Sequence, residues 1–209
     1  MKAVRPAPKY NAKIQKMILQ DTIDKINSQL ATTNLFGKSW GLCELITDGT
    51  ITMPAFYLGN SNYGKNVVNW TKFIGVSYIR RNGKVAFEEI SRDEQLVDCD
   101  TATQMTVPLK IVCIVPKKEL PQDNEFADDF VANKITAALN GVKDFITDAN
   151  SSFLFVQEYE TDNQVIIDEE FTGIKLIDVH YKYSYLSLSV IARIVIDSAC
   201  LEPSCEPCY

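Results

Sequence analysis

Three cysteines fall within nine residues near the end of the sequence, Cys200, Cys205 and Cys208 in "SACLEPSCEPCY". Thiols at that density suit metal ligation or a disulfide. A structural zinc site takes four soft ligands, often in paired C-x2-C modules, and this tail offers three without the pairing. Cys43, Cys99 or His180 would have to lend the fourth, and no spacing designates one of them. A disulfide is opposed by a reducing cytosol, where a chain without a leading apolar segment is expected to be made. Pro203 and Pro207 favour a third reading, an extended peptide that packs on a neighbour. All three stay open; the extended peptide is favoured, and no resident metal or other cofactor is expected.

The loop "GNSNYGKN" approaches a phosphate-binding loop, with Gly59, Gly64 and Lys65 at the right spacing. That loop needs Ser or Thr next, to place a hydroxyl on Mg²⁺, and a helix whose amides face the phosphates. Asn66 stands there instead, and "VVNWTKF" after it is strand-prone. A surface loop is the better reading. His180 is the single histidine, set in a strand-like run with no nucleophile marked for it, so a structural role is expected. Carboxylates gather at Glu158, Glu160 and Asp162 and again at Asp168, Glu169 and Glu170. They lack the alternating spacing and the turning glycine of a calcium loop. They read as a solvated acidic rim and a candidate interaction surface, and no catalytic residue is identified.

The opposite charge lies at the other end. Residues 1–20 hold Lys2, Arg5, Lys9, Lys13 and Lys16 and no acid, within a chain of net charge −6. A basic arm ahead of an acidic body suits docking on an acidic surface or on nucleic acid; the plainer and favoured reading is a frayed, solvated terminus, and the acidic body argues against a nucleic-acid-binding face. No apolar run is long enough to span a bilayer.

These groups must be positioned by a fold, and the pattern for one is present. Ile14, Ile18, Leu19, Ile23, Ile26 and Leu30 make a helical stripe over 12–30. Asp48-Gly49 and Asn82-Gly83 each stand between strand-prone runs and predict two hairpins. "TQMTVPLKIVCIVP" alternates as a half-buried strand. A second helix is expected over "DNEFADDFVANKITAALNGVKDFI", capped by Asp123 or Asn124, with a stripe running from Phe126 through Phe130, Ile135, Leu139 and Val142 to Ile146. "SFLFVQEY", a polar excursion containing "DNQVIIDEEF", and a long strand over "HYKYSYLSLSVIARIVI" follow. The expected fold is α+β: a mainly antiparallel sheet with hairpins, two main helices laid against one face, and extended N- and C-terminal arms. The expected division is a basic arm at 1–10, a single domain at 11–197 and a Cys/Pro-containing tail at 198–209.

That order of elements resembles the tail-terminator and tail-completion (neck) proteins of tailed bacteriophages. The strand "QMTVPLKIVCIVP", the helix around "DDFVANKITAALNGVKDFI" and the closing "HYKYSYLSLSVIARIVI" carry most of the likeness, with the leading helix and "LITDGTITMPAFYL" adding to it. The two-hairpin middle and the Cys-rich tail depart from the family pattern. The resemblance implies a non-enzymatic virion protein, made in the host cytoplasm, that forms a homo-oligomeric ring of six or twelve copies. Its partners would be portal, neck or tail proteins, with DNA passing through the channel without specific binding and no membrane involved. The alternative is a soluble nucleotide- or metal-binding module built on 59–66 or on the cysteine tail.

Overall fold

Helix α1 (Ala12–Thr32) forms on the predicted stripe, and its Ile23, Ile26 and Leu30 are buried. A computed structural model describes residues 12–56, 75–91, 101–120, 127–140, 142, 145–147, 150–173 and 182–197. The arm at 1–10, the "GNSNYGKN" loop, Cys99, the caps Asp123 and Asn124, Phe126, His180 and the tail at 198–209 lie outside the described residues. Thr33 ends α1: its hydroxyl donates to the Leu30 carbonyl at 2.6 Å and accepts from the Leu35 amide at 3.3 Å.

Strands β1 (Lys38–Asp48) and β2 (Ile51–Phe56) make the first expected hairpin. Asp48 pairs with Ile51, so the turn is Gly49-Thr50, one position later than predicted. The second expected hairpin is not one. β3 (Val76–Arg81) and β4 (Ala86–Ser91) both run antiparallel to the same strand, β5 (Thr101–Pro116). β3 lies along Leu109–Ile114 and β4 along Thr101–Thr106, so the two are successive segments on one side of β5.

The cause is Pro108. Its carbonyl accepts from the Asn82 amide at 2.9 Å, but proline has no N–H to return and the ladder breaks there. Gly83 takes φ 153, and a Cβ on it would lie 3.3 Å from the Pro108 ring. Asn82-Gly83 therefore marks a bulge between collinear strands rather than a reversal.

Helix α2 (Ala127–Asn140) buries Val131, Ile135 and Leu139. It was expected to continue to Ile146 but stops at Asn140, ahead of a glycine that disfavours helix. Ile146 instead belongs to β6 (Phe145–Thr147), paired with the start of β7 (Asn150–Glu160). The segment read as a polar excursion contains a third helix, α3 (Asn163–Glu170), and β8 (Tyr183–Asp197) follows.

The strands share one sheet in the order β2-β1-β3-β5-β8-β7-β6, with β4 also on β5. The β1–β3 pair is parallel and the other described pairs are antiparallel, so the mainly antiparallel α+β expectation holds. Its spine is β5–β8, paired from Ala102–Asp197 to Pro116–Tyr183. Odd-numbered residues Met105 to Val115 of β5 and even-numbered Leu186 to Ile194 of β8 face α1 and α2 in one core. On the other face Ile166, Ile167 and Phe171 of the α3 segment pack on Tyr78, Val112, Ile114 and Tyr185. β5 was expected to be half-buried; where α3 crosses, both it and β8 are buried on both faces. Among the described residues no helix is long and apolar enough to cross a membrane.

Candidate functional site

Strand registers put two cations side by side. Arg80 of β3 pairs directly with Lys110 of β5, and Arg80 pairs on its other side with Cys43 of β1. All three are buried on the face that α3 covers. Like charges opposite one another on neighbouring strands repel, so this arrangement needs anions. The C-terminal end of α3 supplies them.

Arg80 Nε donates to both Glu170 oxygens, at 2.8 and 3.1 Å, and its Nη2 donates to Glu169 Oε1 at 2.6 Å. Lys110 Nζ donates to Glu169 Oε2 and lies 3.8 Å from Glu170 Oε1. The Tyr78 hydroxyl donates to Glu170 Oε2 at 2.9 Å. Two cations and two carboxylates thus neutralise each other around a Glu170 side chain with no solvent exposure.

The electrostatics follow from this packing. Burial would raise the Glu169 pKa, but Lys110 and Arg80 outweigh it and hold the carboxyl below its ordinary range. Burial favours a neutral Arg80, and its two glutamates overcome that and raise its pKa. The Tyr78 phenol is pushed well up, first by burial and then by the Glu170 charge. The Cys43 thiol is pushed up by the same two causes, and Cys113 on the other face by burial. A saturated carboxylate is a poor base and a thiol held protonated a poor nucleophile. What this cluster does well is fasten α3 to the sheet.

The rest of α3 is fastened too. Asp162 caps it, accepting from the Gln164 and Val165 amides at 2.8 and 3.3 Å. Glu160 Oε1 accepts from the Thr161 and Asp162 amides at 2.8 and 2.7 Å. Asn163 lays its side-chain amide against the end of β8, donating to the Tyr183 carbonyl at 3.3 Å and accepting from the Tyr185 amide at 3.0 Å. At the far end the Thr52 amide of β2 donates to the Thr172 carbonyl at 2.8 Å.

The predicted acidic rim therefore divides. Glu158 and Asp168 are exposed, and Asp168 accepts from Gln164 Nε2. Glu160 and Asp162 are committed to capping. Glu169 is part-exposed and paired, and Glu170 is wholly buried, so the expectation of a solvated rim through Glu170 is corrected. The charge demand of Arg80 and Lys110 is the reason. Of the basic arm, Lys13 and Lys16 belong to α1, while Lys2, Arg5 and Lys9 lie outside the described residues. Among the described residues, no group of His, Cys, Asp and Glu could hold a metal ion.

Sequence reasoning missed Tyr78, Arg80 and Lys110. The signal was present: each sits on the same alternation as buried apolar residues, Arg80 after Val76 and Tyr78, and Lys110 before Val112 and Ile114. A cation on such a face calls for a buried counter-charge. No protein-family model matches this sequence, and neither does any curated protein.

Proposed function

We propose that the chain is a non-enzymatic structural protein of a tailed-phage virion, forming a ring in the neck or tail around the DNA channel. Its copies, six or twelve, join the portal to the tail or terminate the tail, and acidic surface lets DNA slide past. The observation that carries this reading is the long β5–β8 pair with α1 and α2 laid on one face. The element order matches the one on which the resemblance rests: an alternating strand, a helix, a strand and polar stretch, and a long closing strand. The buried charges add support, because they are spent on holding α3 rather than displayed to a substrate. The exposed acids Glu158 and Asp168 are available to the +5 segment of a neighbour, with apolar contacts carrying most of the affinity.

Electron microscopy and mass photometry of the purified chain test it. Rings of six or twelve copies around an axial channel are expected, and removal of residues 1–10 should leave the melting temperature unchanged while weakening assembly, more so at low salt. A strict monomer that joins no portal or tail protein, with the arm dispensable, refutes the reading. Micromolar ATP affinity lost in Lys65→Ala, or stoichiometric zinc whose removal lowers the melting temperature, would favour the binding-module alternative instead.

A further inference from the structure

Val156, Gln157, Glu158 and Tyr159 follow one another in β7 and all four are exposed, on both faces of the strand. Val156 and Tyr159 are 38 and 65% exposed, unusual for large apolar side chains in a sheet. They lie on a border. β6 covers Asn150–Ser152, and among the described residues no strand pairs with 153–160 on the side away from β8. An unpaired edge presents a row of backbone donors and acceptors, a template for another strand.

The two faces of this edge differ in chemistry. Val156 and Tyr159 pair with Val190 and Leu188, which point into the α1/α2 core, so both lie on that face. Glu158 and Glu160 pair with Ser189 and Ser187 and lie on the α3 face. Glu160 is already engaged by the Thr161 and Asp162 amides, which leaves Glu158 to meet a cation. The backbone direction of the edge follows from its hairpin. Thr147 and Asn150 close β6–β7 over two residues, so Asn150 turns its N–H and C=O towards β6. By strand alternation Leu154 and Val156 turn theirs outward too, as does Tyr159 past the bulge, on the same face.

We infer that residues 3–10 of a neighbouring copy add to this edge as a parallel strand; this deepens the ring reading above and rests on it. The segment "AVRPAPKY" alternates strictly: Val4, Pro6, Pro8 and Tyr10 are apolar, and Ala3, Arg5, Ala7 and Lys9 are small or basic. With its even-numbered residues on the α1/α2 face, it extends the apolar surface of Val156 and Tyr159. Arg5 and Lys9 then fall on the face of Glu158.

The prolines set the direction. In a parallel pair, the residues that bond an edge carry their side chains on the face opposite to those of the edge residues they bond. The donors to β7 are then Arg5, Ala7 and Lys9, while Pro6 and Pro8, which have no N–H, are turned away from it. Antiparallel pairing with the same faces would ask Pro6 and Pro8 for donors that they lack. A strand with two such gaps on its outer side also seals the edge against further growth.

The arm joins α1 through Asn11, and α1 packs on β1 and α2. β1 is separated from β7 by β3, β5 and β8. Arm and receiving edge are different surfaces of one chain, which makes the contact head-to-tail, the kind that a closed ring repeats.

Hydrogen exchange on the full chain across a dilution series tests this. Amides of 153–160 should be protected where rings form and should lose that protection on dilution to monomer. Ala7→Pro removes a donor that faces β7 and should weaken assembly about tenfold, whereas Val4→Pro, facing away, should cost less than about threefold. Glu158→Lys should weaken assembly about three- to five-fold, and combining it with Arg5→Glu and Lys9→Glu should restore it. Equal effects of the two proline changes overturn the strand pairing. Protection that persists in the monomer overturns the exchange between copies, because the chain then covers its own edge. Rings without protection of 153–160 overturn the pairing and leave the ring reading standing. A chain that stays monomeric at every concentration overturns both.

Discussion

Replacing Arg80 with methionine should destabilise the protein far more than replacing the adjacent Arg81. Arg80 gives Glu170 its Nε contacts at 2.8 and 3.1 Å and an Nη2 contact at 2.7 Å. Without it, the buried Glu170 keeps the Tyr78 hydroxyl at 2.9 Å and Lys110 at 3.8 Å, and Lys110 is already bonded to Glu169. Removing one partner of a buried pair costs about 3–5 kcal/mol, because the other charge is stranded. For a chain of this size that is a fall of roughly 6–20 °C in melting temperature, at about 2–4 °C per kcal/mol. Arg81 bonds Glu44 at 2.8 Å with both side chains partly exposed, a pair worth about 0–1 kcal/mol. The double variant Arg80→Met, Glu170→Met removes the stranded charge and should lie closer to wild type than either single change. Urea unfolding and calorimetry on the four variants decide the matter. Equal losses for Arg80→Met and Arg81→Met, or strict additivity in the double variant, would refute the stranded-charge argument.

Three other outcomes are expected. Glu169 titrates low in the folded state, so its share of stability is intact above the ordinary glutamate pKa of about 4.3 and is lost as the pH falls from there towards the depressed value. Urea midpoints from pH 6 to pH 2 should show that loss reduced in Glu169→Gln, and an unchanged acid limb would contradict it. Gly173→Ala should destabilise by more than about 1–2 kcal/mol, since φ 79 is left-handed and the new Cβ would lie 2.2 Å from the Thr50 carbonyl oxygen. A melting temperature equal to wild type would show that the α3–β2 connection yields freely. Cys43 and Cys113, buried with thiols pushed up, should resist alkylation at pH 8 until urea unfolds the sheet; peptide mass mapping that finds either one labelled in the native protein would count against the packing.

The fold class was legible because its signals are local. The helical stripe through Ile23, Ile26 and Leu30 and the alternation from Met105 to Val115 need no partner to be recognised. Asn82-Gly83 misled because the same dipeptide serves a reversal or a bulge, and the deciding group, Pro108, is distant in sequence and adjacent in space. Helix α3 was hidden by composition: Asp162, Glu169 and Glu170 read as solvent-seeking until Arg80 and Lys110 are placed beneath them. An acid's environment is set by which cation the sheet brings to it, and that register is not written in its neighbours.

The spine of the sheet joins residues 67 to 95 positions apart in the chain. During synthesis β5 leaves the ribosome with one long edge and much of its helix-side core unfilled, and it must wait for β8, the last described element. Loop closure over such spans is slow, and nascent chains with unsatisfied strand edges are prone to pair with one another. The bulged strands β3 and β4 already cover the other edge of β5 along most of its length. The half-made molecule thus exposes a single long edge on its central strand, and the core stays incomplete until β8 has been made and has closed on that edge.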